Sequence, residues 1–264
     1  MVKSTKSVGK TRAVKKNYSL QGSVILLHGP AKIGKTQLSS SFPGPVQFLA
    51  SEFGHNFIEE EQKDIIVRLD KWSSFMQSLT TKGGIISARP KTIVVDTVSG
   101  LYRLCKRHVC SNHGVDHPFE KGEGGRAIWD MIGDKFALGL ERLFIRAHQL
   151  KATLVLIDHT REEEVETATE DYKKLVAAMP GQARKFVEPM PDHIWFLGYR
   201  MKNVRTKEPE DAMHDFVDNR ALWVRGTKAV MAGTRDDKIS CSIIPSLPKH
   251  NGYDYIVSKL REKK

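Results

Sequence analysis

SVILLHGPAKIGKT, residues 23–36, decides how this chain is to be read. The apolar run 24–27 predicts a buried strand. That strand delivers the backbone into Gly29-Pro30-Ala31-Lys32-Ile33-Gly34-Lys35-Thr36, which satisfies G-x-x-x-x-G-K-[ST] at every position. The glycines let the chain curl until successive backbone N–H groups face one point, and a helix opening at Gly34 adds its positive dipole end. Such a cradle suits a polyphosphate. Lys35 stands where a lysine reaches the β- and γ-phosphates, and Thr36 offers a hydroxyl to Mg²⁺. Gly29, Pro30, Ala31, Lys32, Ile33, Gly34, Lys35, Thr36 and Gln37 are therefore the candidate nucleotide contacts, with ATP and Mg²⁺ as the expected cofactors.

Working outward, Pro43-Gly44-Pro45 ends the helix that begins at Lys35, and 46–50 predicts a second strand. Glu52 follows just past that strand's C-terminal end, the edge at which ligands bind in an open α/β sheet, and is placed to polarise a water. Further strands are expected at 65–69 and 92–95, with an amphipathic helix at 72–79 between them. The strand at 92–95 runs into Asp96, the expected second Mg²⁺-site carboxylate. Trp129, Ile132, Phe136, Leu140, Leu143, Ala147 and Leu150 recur at three and four, so a long helix packs one stripe on the sheet. A fifth strand, 153–157, leads to Asp158-His159-Thr160-Arg161, with His159 the candidate γ-phosphate sensor.

The remainder bounds the reading. Forty-two Lys+Arg against 31 Asp+Glu give a net charge of +11 over 264 residues, which favours a polyanionic partner. Residues 1–18 carry basic and no acidic residues and are expected to form a mobile tail; residues 19–260 are expected to form one domain, and 261–264 a second basic end. Three cysteines make no disulfide framework, and no membrane span or signal peptide is apparent, so a cytoplasmic protein is expected. Cys105, His108, Cys110 and His113 are either a metal set or core and surface residues without one. Residues 117–126 read as an exposed loop, and 160–191 as a long charged segment that opens acidic and turns basic. Beyond it a strand is expected at 193–199, a hairpin from 220–225 and 228–232, and a closing helix at 252–259.

GPAKIGKT, FLASEFG, TIVVDTVSGL, the long helix and TLVLIDHTR, taken in this order, resemble the RecA-like ATPase core over residues 23 to about 200. HPFEKGEGGRAIW, HTREEE, MPGQARKF and GTRDDK look more narrowly like phage-encoded RecA-like nucleotide-binding proteins, a group that includes single-strand-annealing recombinases. The resemblance implies an α/β fold with a mostly parallel central sheet flanked by helices and C-terminal β-hairpin additions. It implies Glu52 as catalytic base, Lys35 and Thr36 on phosphate and Mg²⁺, Asp96 at the metal and His159 as sensor, where RecA carries Gln. It further implies a homo-oligomer, ring or filament, with ATP between subunits and Arg235 and Lys238 as candidates for reaching a neighbour's nucleotide. Single-stranded DNA would be held by loops at 109–126 and 161–188, through Arg126, Arg161, Lys173, Lys174, Arg184 and Lys185. The rival reading is a partner-dependent replication accessory or helicase-loader ATPase; replication or recombination proteins are the expected partners.

Overall fold

Strands covered on both faces cannot alternate polar and apolar residues, and the central strands here do not. The computed structural model describes residues 19–52, 66–80, 89–199, 220–248 and 250–261. Its strands are β1 (Val24–Gly29), β2 (Val46–Ala50), β3 (Ile66–Arg68), β4 (Thr92–Asp96), β5 (Thr153–Val165), β6 (Tyr172–Ala177), β7 (His193–Tyr199), β8 (Arg220–Trp223), β9 (Gly233–Thr234) and β10 (Ile243–Ile244). They lie in the order β10-β8-β7-β1-β5-β4-β2-β3, with β6 on β5 and β9 on β7. From β7 to β3 every pair along this path is parallel, whereas β8 and β10 continue it antiparallel.

Helices cover both faces. On one face α2 (Trp72–Thr80), α3 (Val98–Asn112), α4 (Gly125–Leu150) and α5 (Gly181–Val187) bury Phe75, Leu101, Phe136 and Val187 against Leu26, Val95 and Leu156. On the other, α1 (Lys35–Ser40) and α6 (Gly252–Arg261) bury Leu38 and Ile256 against Ile25, Val94 and Val155. Neighbouring residues of one strand thus feed opposite cores.

The register explains why the chemistry collects at one edge. Gly29 at the end of β1 sits level with His159 on β5, and Ala50, Asp96 and Ile157 share a rung across β2, β4 and β5 two residues earlier along β5. Because β5 lies between β1 and β4, the phosphate loop and Asp96 flank the point on β5 where its parallel pairing ends, at His159. That is the mostly parallel α/β architecture expected from the motif order.

Other expectations change. Segment 228–232 is not a strand: Thr227 N–H bonds Val230 O in a tight turn, and β8 pairs with β7 and β10 instead. The charged segment after 160 is not a long loop. β5 runs on to Val165 and pairs antiparallel with β6, setting Glu162, Glu163 and Glu164 across from Leu175, Lys174 and Lys173, and α5 follows. The exposed loop at 117–126 is mostly a 3-10 helix, Pro118–Gly124, capped by His117 and Glu120. Cys105 and Cys110 are buried on α3, with the Cys105 thiol facing the Ile132 carbonyl and pushed up to about 12 by burial. No cluster among the described residues could hold a metal through His, Cys, Asp and Glu side chains, so the Cys105/His108/Cys110/His113 spacing brings no such set together. The basic ends at 1–18 and 262–264 lie outside the described residues.

Candidate active site

The turn between β1 and α1 is built as its sequence demands. Gly34 takes a left-handed φ of 97°, which suits glycine, and a methyl group there would also stand 2.5 Å from the Arg220 guanidinium. Lys35 is buried, and its Nζ donates to the carbonyls of Gly29 (2.8 Å) and Pro30 (2.7 Å). Burial lowers its pKa to about 8 against the opposing pull of Asp96, Asp158 and Glu52. A cation whose hydrogen bonds among the described residues go to neutral carbonyls suits a polyanion as its partner. Pro30, Ala31 and Lys32 form the exposed crest, Ile33 is anchored in the core, and Gln37 is half-buried in α1.

The Thr36 hydroxyl donates to Asp96 Oδ2 at 2.7 Å. Two hard oxygen donors brought together from α1 and β4 fit the ligand chemistry of Mg²⁺.

Glu52 receives the densest set of contacts at this edge. Its Oε1 accepts from Thr97 Oγ1 (2.9 Å) and Arg103 (2.8 Å), and its Oε2 lies 3.3 Å from His159 Nε2. The hydrogen bond from His159 is the first cause that lowers the carboxylate to about 2; Thr97 and Arg103 act in the same direction, while burial opposes. Glu52 and His159, the expected base and sensor, therefore touch.

Several residues that support this set were not singled out in the sequence. Thr97 caps α3 by accepting from Gly100 N–H, so one side chain starts a helix and orients Glu52. Ser51 bonds the Asp96 and Thr97 carbonyls, and a methyl at Gly100 would come within 2.2 Å of its hydroxyl. Asp158, fully buried, accepts from Ser99 Oγ and the His159 N–H; burial raises its pKa. His28, also fully buried, spans Thr160 Oγ1 (2.9 Å) and the Met231 carbonyl (2.7 Å), and burial lowers it to about 4. Arg220 on β8 donates to the Ile33 carbonyl from behind the phosphate loop. The small residues Thr97 and Gly100 after an apolar strand were the available signal; Arg220 and Arg103 had none.

The remaining candidates are spread more widely. Arg161 and Arg184 both pair with Glu163, Arg184 also with Glu188, and Lys173 with Glu162. Lys174 and Lys185 on β6 and α5 carry no ion pair among the described residues. Arg126 is exposed at the start of α4. Arg235 is exposed and bonds the Pro189 carbonyl, and Lys238 is exposed in the turn after it. Of the aromatic residues in these segments, Tyr102 is buried and bonds Gln182, whereas Phe119 is 75% exposed.

A phosphate loop after β1, carboxylates at the ends of β2 and β4 and a polar side chain where the parallel part of β5 ends place the protein among the P-loop ATPases. Within that class the chain belongs to the AAA domain family, whose sequence profile matches residues 21–235. It is also similar to the SPbeta prophage-derived protein YorG of Bacillus subtilis, 26% identical over 136 residues that cover 48% of this chain and 41% of that protein. Among solved structures, the KaiC-like protein PH0186 of Pyrococcus horikoshii OT3 aligns with a TM-score of 0.45 and 14% identity over 87% of each chain. Among the described residues no helix is long and apolar enough to cross a membrane.

Proposed function

We propose that this chain is a phage-type ATPase that binds single-stranded DNA in an ATP-dependent manner and serves recombination or annealing as a homo-oligomer. The observation that carries the reading is the contact between Glu52 and His159 at the edge shared by the phosphate loop and Asp96. Lys35 binds the β- and γ-phosphates, Thr36 and Asp96 hold the metal, and Glu52 orients and deprotonates the attacking water. Mg²⁺, when bound with the nucleotide, neutralises charge on the transferred phosphoryl group. His159 links the nucleotide to β5, whose continuation is the β5–β6 hairpin, so that loss of the γ-phosphate changes what the hairpin and its neighbours hold. Arg235 and Lys238 remain the candidates for contacting a neighbouring subunit's nucleotide.

DNA contact is supported by an aromatic cluster with cations beside it. Phe119 lies 4.9 Å from the His117 ring and 6.0 Å from Trp129, over which Lys106 Nζ stands at 5.1 Å. Exposed aromatic faces with neighbouring cations suit stacked bases and their phosphates. The test is single-stranded-DNA affinity across a salt series with ATP or ADP present. The expected result is tighter binding with ATP and a log–log salt slope of about −0.7 per phosphate neutralised. A flat response, with another protein co-purifying instead, would favour the partner-dependent replication or helicase-loader ATPase.

A further inference from the structure

The large hydrophobic residues left exposed among the described residues are Phe119, Met131, Leu138, Ile145 and Tyr199. Met131 (38%), Leu138 (49%) and Ile145 (56%) all lie on α4, spaced by seven. A seven-residue step turns an α-helix back to within about 20° of its start, so these side chains line up as a stripe along one side of the helix at intervals of about 10.5 Å. It lies away from the face of Ile132, Phe136, Leu140 and Leu143, which is buried in the core. Scattered exposed apolar residues need no explanation; an aligned set along one helix does.

The flanks of the stripe carry opposite charge. Asp130, Asp134 and Glu141 lie on one side and Lys135, Arg142 and Arg146 on the other. None of Asp130, Asp134, Lys135, Glu141 and Arg142 has an ion pair among the described residues. Within the helix the arrangement is unfavourable, because Asp130 and Asp134, and likewise Arg142 and Arg146, are like charges four apart.

We propose that α4 is an interface to a second copy of this chain, the two helices packing in parallel about a two-fold axis that runs along them. Rotation about that axis lays the basic flank of each helix against the acidic flank of the other. Arg142 then meets the second copy's Glu141, and Lys135 the second copy's Asp134, at the same height along the pair. An antiparallel pairing would set acid against acid and base against base. The slow drift of the stripe matches the roughly 20° left-handed crossing of parallel helices that share a seven-residue repeat. The contact is isologous and uses the solvent face of α4, and it does not depend on how the nucleotide edge works.

The test is site-directed cross-linking of the full chain. Cys241 is replaced by Ser, leaving the buried Cys105 and Cys110, and Met131→Cys, Leu138→Cys and Ile145→Cys are introduced one at a time. A disulfide needs Cα atoms within about 7 Å, so parallel pairing cross-links each variant to itself under mild oxidation. Cross-linking of Leu138→Cys alone, with Met131→Cys joining Ile145→Cys in a mixture, means antiparallel pairing and overturns the proposal. So does sedimentation of the parent chain as a monomer up to about 0.2 mM. Glu141→Arg or Arg142→Glu alone should weaken self-association about fivefold, and the two together should restore it, which loss of folding would not. Failure of the combined variant to restore association also overturns the proposal.

Discussion

The two segments expected to meet DNA both mix acidic and basic residues, and they use those charges in opposite ways. In the segment around Phe119 one acidic group, Glu120, serves the backbone: it accepts from the N–H groups of Asp116 and His117 and caps the 3-10 helix. Lys121, Arg107 and Arg126 are left exposed without an ion pair among the described residues. In the β5–β6 hairpin and α5, acids and bases face each other, so Arg161, Lys173 and Arg184 are engaged within the chain. Where acids satisfy backbone donors, the cations stay available to a polyanion; where they face cations across a ladder, the charge is spent on holding the arm together. The first segment is therefore the stronger candidate for the DNA surface, and the second for a connector to the nucleotide edge.

Removing Phe119, Lys121 and Arg126 together to Ala should produce the largest change, roughly a 100-fold loss of single-stranded-DNA affinity, with the salt slope shallower by about 1.4 for the two lost cations. Fluorescence anisotropy across a salt series measures both, and an unchanged slope would break the comparison.

The root of the hairpin gives the next effect. His28 bonds Thr160 and is held neutral, its pKa lowered by burial from 6.5 to about 4. Between these values the unfolded chain binds a proton that the folded chain refuses, so stability is full above pH 6.5 and falls as the pH drops toward 4. The loss is roughly 3 kcal/mol. Chemical denaturation at pH 7 and pH 4.5 should show a smaller difference for His28→Gln than for the wild type.

Arg184→Ala leaves Glu163 and Glu188 without their common partner in a half-buried site and should cost about 1–2 kcal/mol of stability. Its DNA affinity should stay within about twofold of the wild type, since that cation is engaged internally. A larger loss of affinity would move the DNA surface to the hairpin. The smallest effect belongs to Arg103→Ala. That side chain is 64% exposed, so stability should change by under about 0.5 kcal/mol. Release of one donor from Glu52 should raise the carboxylate's basicity and DNA-free hydrolysis about two- to fivefold in a steady-state assay.

The same contrast explains what the sequence made legible. Phosphate loop, strand ends and core helix follow from local pattern: Gly34 needs a left-handed backbone, Asp96 ends an apolar run, and Phe136 and Leu140 repeat at helical spacing. The β5–β6 pairing was hidden because Glu162, Glu163 and Glu164 in succession resemble a solvated loop until Lys173 and Lys174 stand across from them. Arg103 reaches Glu52 from 51 residues away, and Arg220 reaches Ile33 from 187 residues away. Neither contact has a local signature.

Steady-state ATP hydrolysis with and without single-stranded DNA, for the wild type and Glu52→Gln, tests the central claim most directly. DNA should stimulate the wild type, and Glu52→Gln should lose about 100-fold or more in rate while it still binds ATP and DNA. Full hydrolysis by Glu52→Gln, or a wild-type rate indifferent to DNA, would contradict it.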